Sequence, residues 1–306
     1  MTSTAPAPPL RPTAQHQQET LIGMDGIQEI IEAALYSVYL INAVPISLIL
    51  IGPSGAGKSK VILQYQSSTG CHITTDVTSS GLQDILAKDI AGKIRYIIIP
   101  DFNLVLSHRH STLQLTIANL LSMTSEGTIR IDDGRQNKET KHSPVGIISA
   151  VTRDIYATVG RKWVALGFAR RFIPINYDYS LATRDKIQKS IAAGLTTMLQ
   201  LAERKIHRPP EACNVEISEA YSQDLATYSH ELANNIGWVA VPNKREPSKP
   251  KAWHTGKQME FSPHVILRTV ARAHALKSGR MIVGEEDINF TLKLISFTRF
   301  DRPVEL

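Results

Sequence analysis

The residues that most clearly indicate a chemical function form a glycine-rich segment that follows an apolar run. Glycine tolerates backbone angles that side chains exclude, so successive N–H groups of such a loop can surround a phosphate, and a helix that starts after it adds its positive end. A lysine supplies a cation for the outer phosphates, and a serine hydroxyl can bind Mg²⁺. The segment matches the pattern G-x-x-x-x-G-K-[ST], and it therefore predicts a site that binds the phosphates of a nucleotide. It reads Gly52, Pro53, Ser54, Gly55, Ala56, Gly57, Lys58, Ser59.

A carboxylate at the end of another apolar run could complete a magnesium site with Ser59. Asp101 follows the run RYIIIP, and an acid at the tip of a strand beside a phosphate loop holds Mg²⁺ through water. A second carboxylate that polarises the attacking water is expected next to it, but position 102 is Phe. We therefore predict that Asp101 binds Mg²⁺ and that hydrolysis is slow.

Apolar runs typical of buried strands alternate with segments of helical periodicity over the first 178 residues. This alternation predicts an α/β fold with a parallel sheet covered by helices on both faces. We expect residues 1–18, rich in Pro, Ala, Thr and Gln, to be a flexible tail, and 19–178 to be the nucleotide-binding domain. The predicted strands are 46–51, 71–76, 95–100, 144–151 and 172–175.

The remaining residues, 179–306, predict a mainly helical domain that forms a lid. An apolar stripe with helical spacing indicates a buried helix face there. A loop at 241–258 interrupts the helices, and it carries several lysines around Trp253. Basic residues beside an aromatic side chain suit single-stranded nucleic acid, although a surface insertion explains them as well. The stripe consists of Ile187, Ile191, Leu195, Met198 and Leu199.

Composition limits the classes of protein that this chain can belong to. Among its 306 residues, 42% are hydrophobic and 20% are charged, which is typical of a globular protein. We found no apolar stretch of membrane-spanning length and no secretory leader, and the two cysteines are isolated, so we expect a cytoplasmic protein. Residues 1–150 carry 11 basic and 12 acidic side chains, whereas 151–306 carry 23 and 16. Attraction to nucleic acid would therefore come mainly from the second half.

The order of these and further motifs resembles the AAA+ ATPases, in particular the branch of MoxR-type ATPases and MCM helicases. LIGMDGIQEII at 21–31 resembles the segment over the adenine, which implies contacts from Leu21, Ile22 and Gly23. Residues 120–152 resemble a helix, a hairpin and a strand that ends in a polar sensor, here Thr152. GFARRF at 167–172 is similar to the arginine-finger motif, with Arg171 as the finger and Arg170 as its neighbour.

The same resemblance extends to the predicted lid. FSPHVILRTVARAHALKSGRMIVGEEDI at 261–288 resembles the MoxR lid pattern, but His264 stands where that pattern has its sensor arginine. Arg268 lies one helical turn further along and shares that face, and Arg272 is the next candidate. In this branch the hairpin points into the pore of a ring. Its basic residues here are Arg130, Arg135, Lys138 and Lys141.

The resemblance implies a ring-forming ATPase that uses ATP and Mg²⁺ to remodel a macromolecular partner. A MoxR-like chaperone that acts on proteins is the favoured interpretation. A DNA-engaging motor, helicase or loader that uses 241–258 and the 128–143 hairpin is an alternative. A nucleotide-gated switch that binds ATP and hydrolyses it slowly is a third, indicated by the missing second acid.

Overall fold

The computed structural model describes most of the chain. The described residues are 21–89, 93–132, 137–165, 167–168, 171–193, 203–206, 209, 211–241, 251–254 and 261–306. The predicted tail at 1–18 and Arg170 lie outside them, as does most of the 241–258 loop. The predictions for these segments stay predictions.

A six-stranded parallel sheet forms the centre of the protein. Its strands occur in the order β10-β7-β1-β6-β3-β2, and every neighbouring pair is parallel. The predicted parallel sheet covered by helices is thus confirmed. The strands of this sheet are β1 (Ser47–Gly52), β2 (Cys71–Ile73), β3 (Tyr96–Ile99), β6 (Gly146–Thr152), β7 (Phe172–Asp178) and β10 (Val304–Glu305).

Two hairpins lie outside this sheet. The first pairs β4 (Thr128–Asp132) with β5 (Asn137–Lys141) and confirms the predicted hairpin at 128–143. The second pairs β8 (Trp238–Val241) with β9 (Lys251–His254). The predicted loop at 241–258 is therefore wrong at Val241, which ends β8, and at residues 251–254, which form β9.

The helices connect and cover the strands, because parallel strands need crossover connections. Among the described residues they are α1 (Asp25–Tyr36), α2 (Lys58–Leu63), α3 (Ser79–Lys88), α4 (Asn103–Leu106), α5 (His110–Glu126), α6 (Arg153–Ala165), α7 (Leu181–Ala192), α8 (Glu219–Ile236), α9 (Phe261–Lys277) and α10 (Glu285–Phe297). In this described part of the chain, no helix is both long and apolar enough to cross a membrane.

Side chains of the central strand alternate between two hydrophobic clusters, one on each face of the sheet. Leu48 and Leu50 belong to the cluster with α1, α2, α9 and α10, whereas Ile49 and Ile51 belong to the cluster with α3, α5 and α6. Right-handed crossovers explain this division. The chain leaves β1 in one direction along the sheet, and it leaves β2, β3 and β6 in the opposite direction.

This reversal creates a crevice at the carboxyl ends of β1 and β6. Open α/β sheets bind ligands at such a switch point, outside the carboxyl ends of the strands. Residues 52–59 follow β1 at this edge, and Asp101 follows β3, the next strand beyond β6. The topology therefore brings the two predicted parts of the site to one edge of the sheet.

The chain after 178 also contributes to the central sheet. Strand β10 pairs with β7 through Val304↔Tyr177 and Glu305↔Asp178. Helices α9 and α10 pack in the first cluster, and α8 builds a third cluster with them. The predicted apolar stripe is wrong at Ile191, whose side chain is 53% exposed. Ile187 of that stripe is half-buried, and Leu195, Met198 and Leu199 lie outside the described residues.

Candidate phosphate-binding site

The backbone of the glycine-rich loop has the shape that its glycines predict. Gly55 and Gly57 have φ values of 75° and 71°, which side chains rarely tolerate. A Cβ on Gly52 would lie 3.3 Å from the carbonyl oxygen of Tyr177. A Cβ on Gly55 would meet nothing within 4 Å, so the loop is open on that side. The first glycine thus allows close packing, and the second faces free space.

The loop presents backbone N–H groups that have no partner in the described part of the chain. The amides of Gly55, Gly57, Lys58 and Ser59 donate no hydrogen bond to a described residue. Unpaired backbone donors normally find a partner in a folded protein, and successive N–H groups in a concave turn bind anions. The arrangement therefore suits a phosphate group.

The Lys58 ammonium group is held directly over the start of the loop. Its Nζ donates hydrogen bonds to the carbonyl oxygens of Gly52 (3.1 Å) and Pro53 (2.6 Å). Burial lowers the pKa of Lys58, the nearby Asp101 carboxylate opposes this shift, and the positive charge of Arg153 adds to it. A buried cation with mainly carbonyl partners gains stabilisation from an anion that enters the loop.

The side-chain oxygen atoms of Ser59 and Asp101 lie on neighbouring parts of this edge. The Ser59 hydroxyl donates a hydrogen bond of 2.8 Å to the carbonyl of Pro100, and the Asp101 carboxylate accepts one of 3.0 Å from the Asn103 amide. Hydroxyl and carboxylate oxygens match the preference of Mg²⁺, which keeps several waters and takes few protein ligands. The pair fits a magnesium ion bound together with phosphate.

Phe102 points away from this site. Its side chain is fully buried, and its ring lies 5.6 Å from that of Trp163 and 6.0 Å from that of Phe168. The backbone amide of Phe102 bonds to the Ala150 carbonyl at 2.8 Å. The residue after Asp101 is thus a core residue, and a carboxylate at this position would not reach a water molecule at the loop.

Thr152 lies beside the loop. Its Cα is the register partner of Gly52 on the neighbouring strand, so the polar residue predicted as a sensor ends β6 where the loop begins. Its hydroxyl makes no hydrogen bond to a described residue. This position places a polar side chain in the crevice between β1 and β6.

Sequence reasoning missed Arg153, which begins α6 next to Thr152. Its guanidinium donates to the Asp178 carboxylate (3.2 Å), the Asn176 amide oxygen (3.3 Å) and the Tyr177 carbonyl (2.9 Å). These contacts fasten the carboxyl end of β7 to α6. Only its position directly after the predicted sensor could have indicated this role.

Asp178 forms a second link at this edge. Burial would raise its pKa, but hydrogen bonds from the Tyr179 amide, Arg184 and Arg153 outweigh burial and lower it. A carboxylate tied to two arginines is a weak base, and Asp178 therefore organises the end of β7 and the first turn of α7.

The predicted adenine segment lies close to the loop through shared neighbours. Gly23 has φ 79°, and a Cβ there would lie 3.0 Å from Thr183 and 3.8 Å from the Tyr179 ring. Tyr179 also lies beside Gly57, where a Cβ would be 3.6 Å from its hydroxyl. The turn of Leu21, Ile22 and Gly23 therefore flanks the phosphate loop, as a base-binding segment must.

Two predicted arginines lie at the other end of the sheet. Arg171 precedes Phe172, the register partner of Ser47 at the start of β1, which places it roughly 17 Å along the strands from the loop. Arg268 lines a cavity of about 470 Å³ with Ile41 and Asn42, which precede β1. The structure does not bring either guanidinium to the loop of the same chain.

Arg272, the next candidate for the sensor arginine, and His264, which stands at the sensor position, both form hydrogen bonds away from the loop. Arg272 donates hydrogen bonds to the carbonyl oxygens of Val215 (2.8 Å) and Ile41 (3.1 Å). A ring nitrogen of His264 lies 3.2 Å from the Ser222 carbonyl. The edge of the sheet that carries the loop is flanked instead by α1, α7 and the end of β7.

Comparison of the chain with protein-family models and with curated protein sequences gave no match.

Proposed function

We propose that the protein binds ATP and Mg²⁺ at residues 52–59 and hydrolyses the nucleotide slowly. The observation that carries the proposal is a row of N–H groups without a partner among the described residues, in a loop with two left-handed glycines that is closed by the buried Lys58 ammonium. Donors of this kind recognise a chain of phosphates, because each N–H can bond a different oxygen.

The chain's own residues divide the work of binding. The loop amides hold the phosphates, and Lys58 moves from the Gly52 and Pro53 carbonyls to the outer phosphate oxygens. Ser59 and Asp101 hold Mg²⁺, which neutralises charge on the outer phosphates when bound. Leu21, Ile22 and Gly23 contact the base, and Thr152 orients water at the outer phosphate.

A role as a remodelling ATPase of the AAA+ type follows from the order of the motifs. Arg171 cannot serve the loop of its own chain, because it lies at the opposite end of β7. We propose that it acts on the loop of a neighbouring copy in a ring, where a guanidinium stabilises the transferring phosphoryl group. Arg170 assists it in this proposal, and the remodelled partner is a protein.

A nucleotide-gated switch is the second candidate, and the position of Phe102 favours it. With Phe102 in the core and Asp178 tied to arginines, neither of these two positions supplies a free carboxylate base at the loop. Such a protein would change its interactions when ATP binds and would reset slowly.

Engagement of DNA remains the third candidate from the sequence, through 241–258 and the 128–143 hairpin. It rests on the charge of the second half of the chain, and the geometry of the phosphate site adds no support for it.

Phosphate release at saturating ATP-Mg²⁺ distinguishes the first two candidates. We expect a slow rate in wild type that a protein partner raises if the protein is a remodelling ATPase. A switch would bind ATP, but its rate of phosphate release would stay near background under every condition. Rates stimulated by single-stranded DNA and abolished by high salt would favour the third candidate.

A further inference from the structure

Two tyrosine hydroxyl groups converge on one carbonyl of the phosphate loop. Tyr177 Oη donates to the Ala56 oxygen at 3.0 Å, and Tyr179 Oη donates to the same oxygen at 3.1 Å. A carbonyl oxygen has two lone pairs and can accept both bonds. Tyr177 belongs to β7 and Tyr179 is the first residue after it. Residues two apart along an extended chain point to the same side, and the two rings meet edge to face at 6.2 Å.

Both phenols are fixed as donors. Burial raises the pKa of Tyr177 well above its usual value, and burial raises the pKa of Tyr179 to about 12. Each hydroxyl therefore keeps its proton throughout the neutral pH range. Neither hydroxyl is free to turn toward another described acceptor without breaking its bond to Ala56.

The bonded carbonyl determines the direction of the next amide. In a trans peptide the C=O of one residue and the N–H of the next point in opposite directions, and the chain has no cis peptide bond among its described residues. With the Ala56 oxygen held against β7, the Gly57 N–H must point to the other side, into the loop. That amide is one of the donors without a described partner.

We propose that Tyr177 and Tyr179 are positioning residues for nucleotide binding: they hold the Ala56–Gly57 peptide so that the Gly57 N–H faces the phosphates. The inference rests on the proposed nucleotide site. Gly57 can rotate easily because it lacks a side chain, so an unheld peptide would lose this orientation in the absence of ligand. The two hydroxyls remove that freedom before the phosphate arrives.

The remaining contacts of the tyrosines support the same role. The Tyr177 ring lies 3.4 Å from a Cβ placed on Gly52, and the Tyr179 hydroxyl lies 3.6 Å from one placed on Gly57. Tyr179 also packs beside Gly23 of the base segment. Tyr179, the first residue after β7, thus connects the two halves of the proposed nucleotide site.

The test removes the hydroxyls and keeps the rings. Tyr179→Phe and the double variant with Tyr177→Phe are titrated with ADP in the absence of Mg²⁺, which isolates the loop from Ser59 and Asp101. We expect the Kd to rise about fivefold for Tyr179→Phe and about 25-fold for the double variant, which corresponds to ~1 kcal/mol per lost hydrogen bond. Tyr156→Phe is the matched control, because Tyr156 is a buried tyrosine in the cluster on the opposite face.

A spectroscopic measurement separates positioning from a general loss of stability. In protein labelled with ¹⁵N-glycine, the Gly57 amide proton should move downfield when ADP binds to wild type, and by much less in the double variant. The melting temperature of the double variant without ligand is measured in parallel. Since Tyr179 is partly exposed, Tyr179→Phe is expected to fold and to decide the question even if the double variant does not.

The outcomes are distinct. Wild type that binds ADP, together with a Tyr179→Phe variant of unchanged Kd and unchanged Gly57 shift, overturns the positioning role and leaves the nucleotide site intact. Wild type that does not bind ADP overturns both proposals. A raised Kd in Tyr179→Phe with no change in Tyr156→Phe supports the inference.

Discussion

The Ser59 hydroxyl donates a 2.8 Å hydrogen bond to the carbonyl of Pro100. This bond ties the end of the phosphate loop to the residue before Asp101, across the intervening strand β6. The proposed metal ligands are therefore fixed relative to each other by one short contact. A magnesium ion would bind a lone pair of the Ser59 oxygen, so the hydroxyl keeps its hydrogen bond to the Pro100 carbonyl.

Asp101→Asn should abolish hydrolysis and largely spare nucleotide binding. The amide oxygen can still accept the bond from Asn103, so the backbone keeps its shape, but the negative charge that holds Mg²⁺ is lost. We expect phosphate release to fall at least tenfold, with an ADP affinity without Mg²⁺ within about threefold of wild type. Asp154→Asn, at an exposed acid in the first turn of α6, is the control and should behave as wild type. Full activity in Asp101→Asn would contradict the metal assignment.

Phe102→Glu should destabilise the protein and should not accelerate hydrolysis. From the sequence alone, a glutamate here would restore the second acid of the AAA+ pattern. The structure packs the side chain against the rings of Trp163 and Phe168, where a carboxylate would be buried among apolar groups. We expect Phe102→Ala to lose about 3–5 kcal/mol of unfolding free energy, and Phe102→Glu to be at least as unstable by denaturant titration. A stable, faster Phe102→Glu enzyme would show that the residue faces the loop.

Mixing two inactive variants tests the proposed ring. Arg171→Ala should bind ATP normally, because the binding contacts come from residues 52–59 of the same chain, and it should hydrolyse poorly. Lys58→Ala has the reverse defect, an altered loop with an intact Arg171. Combining them should restore part of the rate of phosphate release, since some junctions join an intact loop to an intact arginine. A well-folded Arg171→Ala variant with full activity would end the finger assignment.

The environment of the Asp287 carboxylate predicts how the free energy of unfolding depends on pH. Its buried carboxylate accepts bonds from His274 Nδ1 (2.6 Å), the Gly284 amide (2.8 Å) and both Nη atoms of Arg280 (2.9 and 2.8 Å). Burial would raise the pKa of Asp287, but these bonds outweigh it and lower the pKa. The contribution of Asp287 is therefore complete above the ordinary aspartate pKa of about 3.9, and it is lost as the pH falls through the lower value of the folded state.

Asp287→Asn should flatten the acid limb of the stability curve. At pH 7 we expect a loss of about 3–5 kcal/mol, because His274 and Arg280 keep their places without the anion. Below about pH 4 the unfolding free energy of the variant should fall less steeply than that of wild type. Asp185→Asn, at an exposed acid of α7, should follow the wild-type curve. Identical slopes for wild type and Asp287→Asn would contradict this account.

The sequence predicted the parts of the fold that follow from local patterns. Residues 96–99 of the predicted strand 95–100 are continuously apolar, as a strand buried on both faces is, and β3 lies where it was expected. The two-residue strand β10 has no periodic signal, and it exists because the chain returns to the edge of β7. Ile191 matches a helical stripe, yet the described structure leaves it uncovered.

The residues of the candidate site likewise fall into those that local patterns predict and those that only the fold brings to the site. Lys58, Ser59 and Asp101 could be found from one motif and one strand end. Tyr179 and Arg153 could not, because their roles depend on the register of β7 against β1 and on the position of α6. Arg268 shows the limit of transferring a pattern, since its helix faces a cavity at the far end of the sheet.

The shift in melting temperature on addition of ATP-Mg²⁺, compared between wild type and Lys58→Ala, tests the central claim most directly. A ligand at a hundredfold excess over its Kd stabilises the native state by about 2.7 kcal/mol, so wild type should melt several degrees higher with millimolar ATP-Mg²⁺. Lys60→Ala, which removes an exposed lysine of the same helix, should show the full shift, and Lys58→Ala should show none. A wild type whose melting temperature does not respond to ATP-Mg²⁺, or a Lys58→Ala variant with the full shift, would contradict the nucleotide site at residues 52–59.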